Sequence, residues 1–167
     1  MKPSLVMTVL APDRPGIVKT LASTVESHGG NWLESRMARL AGQFAGIVRV
    51  EVAADSADAL IAALQGLPEI DVRLLREDPA GDSPHGILKL EVVGNDRPGI
   101  VRQLSAAIAG AGGNLEELET RLESAPMSGH PLFHATARIA LPSGCTEDAL
   151  IAAVEGLGAD LAVTIQE

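Results

Sequence analysis

A chain of 167 residues that is 46% hydrophobic but only 2% aromatic can form a packed core, and must build it from Val, Leu, Ile and Ala. Its formal net charge of −9 falls mostly on the second half: residues 1–80 carry 8 basic and 10 acidic side chains, residues 81–167 carry 5 and 12. Such a surface repels a polyanion and offers few stacking platforms, which disfavours direct nucleic-acid binding, and a lone cysteine, Cys145, allows no internal disulfide and fits a reducing, cytoplasmic setting.

In chain order, Leu5 to Leu10 is a nearly continuous apolar run, as a central strand would be. With Lys2 before it, the run faintly imitates a targeting signal, but the same pattern recurs deep in the chain at Ile87 to Val93, and no apolar run approaches membrane-spanning length. Ile17, Val18, Leu21 and Val25 follow helical spacing, with Pro15 at a permitted first-turn position and Gly29-Gly30 as the stop. Asn31 to Leu40 reads as a second strand and Phe44 to Val52 as a third, joined in a hairpin around Ala41-Gly42-Gln43. Asp55 or Ser56 can cap a helix through Leu64, and Ile70 to Leu75 makes a last strand. Asp78 to Pro84 then has linker composition.

The order repeats. Asp13-Arg14-Pro15-Gly16-Ile17-Val18 recurs as Asp96-Arg97-Pro98-Gly99-Ile100-Val101, an offset of 83 that also superposes Gly29-Gly30-Asn31 on Gly112-Gly113-Asn114. Asp58 to Ala63 recurs as Asp148 to Ala153 at an offset of 90, so the second copy carries an insertion, placed here around Ala125 to Pro131. Two βαββαβ copies imply an α+β chain of two tandem ferredoxin-like domains, each an antiparallel sheet with its helices on one face. The expected boundaries are 1–78 for the first domain, 79–86 for the linker and 87–167 for the second.

The fold says little about function, which must come from sites. Asp-Arg-Pro-Gly falls in both copies where the first strand gives way to the first helix. Helix N-terminal N–H groups and partial positive charge suit a carboxylate there, and Asp13 or Asp96 can accept from an ammonium group, which together describe a site for a small zwitterion. The plainer alternative is that the Asp caps the helix and the Pro fixes its first turn. Asn31 and Asn114 are expected near the same loop, either completing the pocket or merely ending the preceding helix.

The Asp-Arg-Pro-Gly-Ile-Val loop, the Gly-Gly-Asn before the second strand and the βαββαβ order resemble the ACT domain, a regulatory amino-acid-binding module. Two such modules with no catalytic domain in the sequence resemble the glycine cleavage system transcriptional repressor family; formyltetrahydrofolate deformylases share the loop but add a catalytic domain. The resemblance implies an amino acid, glycine or serine foremost, bound at an interface between ACT modules by Asp13, Arg14, Gly16, Ile17 and Asn31 of the first copy and Asp96, Arg97, Gly99, Ile100 and Asn114 of the second. It also implies a protein partner, a DNA-binding transcriptional activator, and a homodimer. Neither copy has the histidine that some serine-binding ACT domains place before the Asp.

No cofactor, metal or membrane association is expected. Cys145 lies in a turn with no base fixed beside it, and His130 and His134 have a metal-binding spacing only on a helix, which Pro131 precludes. Glu116, Glu117, Glu119 and Glu123 form an acidic stripe read as a solvated edge or a docking surface for a basic partner. Trp32 is read as packing, with ligand contact beside Asn31 as the alternative. Two other functions stay open, a ligand-free interaction module and a small ferredoxin-like enzyme such as an acylphosphatase.

Overall fold

A computed structural model describes residues 2–77, 86–127 and 129–166. The chain divides into two compact units, residues 1–81 and 82–167. The first contains β1 (Ser4–Pro12), α1 (Ile17–Ser27), β2 (Asn31–Leu40), β3 (Gln43–Glu51), α2 (Ala57–Gln65) and β4 (Asp71–Arg76). The second contains β5 (Gly86–Asn95), α3 (Ile100–Gly110), β6 (Asn114–Ser124), β7 (Pro131–Leu141), α4 (Glu147–Glu155) and β8 (Ala162–Gln166). The expected linker lies outside the described residues apart from Gly86, which opens β5.

Each unit is a four-stranded antiparallel sheet, in the orders β2-β3-β1-β4 and β6-β7-β5-β8. Strand alternation explains the burial: Leu5, Met7, Val9 and Ala11 turn one way from β1 and are buried, while Thr8 and Leu10 turn the other and are exposed. The buried set meets Ile17, Leu21 and Val25 of α1, spaced along one helical stripe, and Leu60 and Leu64 of α2. Leu104, Ile108, Leu150 and Val154 do the same work in the second unit, each fully buried leucine contributing about 2 kcal/mol. Trp32 packs partly buried against the first core.

The β2–β3 hairpin closes through Ala41 and Gly42, both at positive φ (49° and 78°), the two-residue turn whose twist suits paired strands. The inserted residues of the second copy fall mainly in the corresponding β6–β7 connection. Phe133 there matches Phe44, because each faces the equivalent residue of the first strand, Gly94 and Ala11.

The Gly-Gly-Asn motif is explained by packing. Gly29 and Gly112 adopt positive φ beyond the helix ends. A Cβ on Gly113 would lie 2.6 Å from Leu150 and 2.9 Å from Ile139, and one on Gly30 would lie 2.8 Å from Val25.

Candidate functional site

Both Asp-Arg-Pro-Gly loops leave the first strand of their unit and enter the following helix through a glycine. Gly16 (φ 89°) and Gly99 (φ 83°) are the N-caps of α1 and α3, in a conformation that costs a residue with a Cβ about 1–2 kcal/mol. Neither helix has a side-chain cap. Asp13 and Asp96 are therefore not capping residues, and Pro15 stands before the cap rather than in the first turn, corrections to the sequence reading that follow from the glycine taking the cap. Instead the Asp13 N–H donates to the Gly42 carbonyl (2.9 Å) and the Asp96 N–H to that of Pro131 (3.1 Å), fastening each loop to the neighbouring hairpin.

The loop arginines turn inward on their own unit. Arg97 donates from Nε and Nη2 to Gln103 Oε1 (3.2 and 3.0 Å) and from Nη2 to the Leu157 carbonyl (3.2 Å), and it pairs with Asp160 at 3.6 Å. Arg14 reaches the Pro68 carbonyl (3.4 Å) and Glu69 (4.0 Å). In both copies the guanidinium braces the loop against the connection to the last strand.

Asn31 and Asn114 are also relocated. The register sets Asn31 opposite Glu51, which itself faces Ser4, whereas the loop follows Pro12, which faces Gln43 at the far end of the same sheet. Asn114 likewise faces Ala140, at the end of β7 remote from Asp96. The reason is directional: α1 and α3 carry the chain back along the full strand before β2 and β6 begin. Within one unit, neither asparagine meets its loop.

What the second unit does bring together is an open, shallow cavity of about 450 Å³. Asp96, Arg97, Gly99, Ile100, Val101 and Arg102 form one side, and Thr120, Arg121, Leu122 and Phe133 the other. Ile100 is at once a wall residue and part of the core. Ile17, its counterpart, is buried in the first core. The Asp96 carboxylate has no hydrogen-bond or ion-pair partner among the described residues. The Ile100 N–H donates to the Arg97 carbonyl (3.3 Å), and with no side-chain cap on α3 the N–H groups of Val101 and Arg102 remain available to an anion, with the Arg102 guanidinium over Gly99. A carboxylate acceptor beside amide and guanidinium donors is what an amino acid's ammonium and carboxylate require.

Arg102, Thr120, Leu122 and Phe133 were missed by sequence reasoning. For Arg102 a signal existed: Lys19 occupies the same place in the first copy, at the offset of 83. In the first unit a groove of about 600 Å³ touches Gly16 and runs along α1 past Lys19, Thr20 and Ser23.

Two members of the acidic stripe of β6 are paired. Glu116 pairs with Arg138, and Glu123 accepts from Arg121 Nε (2.6 Å) and lies 3.1 Å from His134 Nε2. The hydrogen bond from Arg121 holds the Glu123 carboxyl below its ordinary range, and the same bond raises Arg121. Cys145 is free and packs against the second core, and among the described residues no cluster of His, Cys, Asp and Glu could hold a metal ion. No described helix is long and apolar enough to cross a membrane.

Comparison with known proteins agrees with this architecture. Residues 4–71 match the ACT domain model. A crystal structure of an unknown protein from Galdieria sulphuraria is similar over 100% of this chain and 99% of that one, with a TM-score of 0.86 and 32% sequence identity. A candidate glycine cleavage system transcriptional repressor is similar over 99% of this chain and 97% of its own, with a TM-score of 0.69 and 20% identity, a likeness of fold. A search of curated protein sequences gives no match.

Proposed function

We propose that the chain is a tandem ACT-domain protein and a non-catalytic regulator that binds a small amino acid through the Asp96 loop. The observation that carries this reading is the cavity where an unpaired carboxylate, uncapped helix amides and Arg102 converge. Asp96 takes the ammonium group, and the first turn of α3 with Arg102 takes the carboxylate. Glycine and serine are the first candidates, because the tandem arrangement and loop motif resemble glycine cleavage system transcriptional repressors. On the same ground the output is contact with a DNA-binding activator, in keeping with an acidic chain that is a poor ligand for DNA itself. Asn31 or Asn114 can join such a site only from outside the unit whose loop forms it.

A thermal-shift screen of the full chain against the twenty amino acids tests the binding. At 100 times Kd a ligand adds about 2.7 kcal/mol, which raises the melting temperature of a unit this size by roughly 10 °C or more. Stabilisation by one or a few small amino acids is expected; no shift with any of them would leave a ligand-free interaction module.

A further inference from the structure

The two loops share a motif but not a state. In the first unit, Arg39 Nε donates to Asp13 Oδ2 at 2.6 Å. In the second, the residue at the same register position is Leu122: Arg39 faces Phe44 across its hairpin as Leu122 faces Phe133. One ladder step further in on the same strand face, Met37 of the first unit packs against the core, where the second unit has Thr120 on the cavity wall. Both exchanges act in one direction. The first unit has a cation on its loop carboxylate and a longer side chain behind it; the second has an apolar wall, a short hydroxyl and an Asp96 carboxylate left unpaired.

From this asymmetry we propose that the modules are unequal, with amino acid bound first by the second and the first weakened by Arg39, whose guanidinium occupies Asp13 as a ligand's ammonium group occupies Asp96. The proposal rests on the amino-acid-binding reading above and adds an order of filling and a residue that sets it. The second unit then takes its equivalent first, and in the first unit the solvent-facing Arg39 competes with the ligand for Asp13. Arg39 is well placed for this because its guanidinium donates directly to the carboxylate oxygen that an ammonium group would need. An incoming ammonium group would have to displace that contact before it could bind Asp13.

Isothermal titration calorimetry on the full chain decides it, with glycine, L-serine and any further amino acid that shifts the melting temperature. The unmodified chain is expected to take one equivalent ahead of any second. Asp96→Asn should weaken that first equivalent at least about tenfold, the usual order for a lost charge pair, and Asp13→Asn should leave it unchanged. Arg39→Leu should tighten the second equivalent, and Leu122→Arg, which places the cation on the open loop, should weaken the first while far-UV circular dichroism stays native. Two equal equivalents in the unmodified chain, or loss of the first in Asp13→Asn, would overturn the inequality and leave the amino-acid-binding reading intact. Absence of heat and of any melting shift with all twenty amino acids, in the unmodified chain and in Arg39→Leu alike, would remove both.

Discussion

Replacing each loop arginine by methionine separates bracing from ligand contact. Arg97 has 32% of its side chain exposed and makes three hydrogen bonds plus a carboxylate contact; Arg14 has 43% exposed and makes one hydrogen bond, at 3.4 Å, with a carboxylate at 4.0 Å. A hydrogen bond to a charged group contributes about 1.5–3 kcal/mol when shielded, and the two bonds to Gln103 share one acceptor, so Arg97→Met should cost about 2 kcal/mol. Arg14→Met resembles the loss of a surface ion pair and should cost about 0.5 kcal/mol. For a unit of this size the larger loss lowers the melting temperature by about 8–16 °C. Trp32, the only tryptophan, lies in the first unit, so its fluorescence follows that unit while far-UV circular dichroism follows both. The dichroism melt of Arg97→Met should begin earlier than that of the unmodified chain, and by more than the shift that dichroism and fluorescence record for Arg14→Met. Equal costs at the two positions, or a loss at Arg97 below about 0.5 kcal/mol, would refute the bracing role.

Three further outcomes follow from the geometry. Gly113→Ala should destabilise by about 1–3 kcal/mol, because its Cβ would meet Leu150, Ile139 and Ile108, whereas Gly110→Ala, with nothing within 4 Å, should stabilise by about 0.5–1 kcal/mol; urea unfolding reads both. The Glu123 carboxyl is held low first by its hydrogen bond from Arg121, so this contact stabilises fully above the ordinary glutamate range and is lost as pH falls through the lowered folded value. In Arg121→Met the carboxyl resonance of Glu123 should titrate at higher pH than in the unmodified chain, a shift measured by NMR. Gly99→Ala should cost about 1–2 kcal/mol from its left-handed backbone and weaken amino-acid binding through the same loop, with calorimetry and thermal melts reporting the two effects separately.

Much of the fold could be read from the sequence because each signal was local. Leu5 to Leu10, the Ile17 to Val25 stripe and the repeated hexapeptide each declare an element within a few residues, and the β2 limits of Asn31 and Leu40 agree with the structure. The site was legible only in part. Asp96, Arg97, Gly99 and Ile100 do line one cavity, being contiguous. Arg97, however, spends its donors on Leu157 and Gln103, partners that no sequence motif marks. Thr120, Leu122 and Phe133 reach the loop through hairpin register, which the six extra residues of the second copy obscure. The Arg39 contact spans 26 residues and depends on a single exchange between copies that otherwise look alike.

The asparagines show how direction decides what spacing cannot. A helix following the loop must run antiparallel to the strand it packs on, so the residue after the helix is always returned to the strand's other end. Asn31 and Asn114 therefore sit a strand's length from Asp13 and Asp96, beyond the reach of any amino acid bound there. The edge strands they open, β2 and β6, are free on one side, so a second copy laid antiparallel along either edge would bring its asparagine to the loop end. At concentrations where sedimentation shows only monomer, Asn31→Ala and Asn114→Ala should match the unmodified chain in amino-acid affinity to within about twofold, well inside the roughly tenfold that 1.4 kcal/mol represents. A tenfold loss in the monomer would mean that an asparagine contributes to the site without a second copy of the chain.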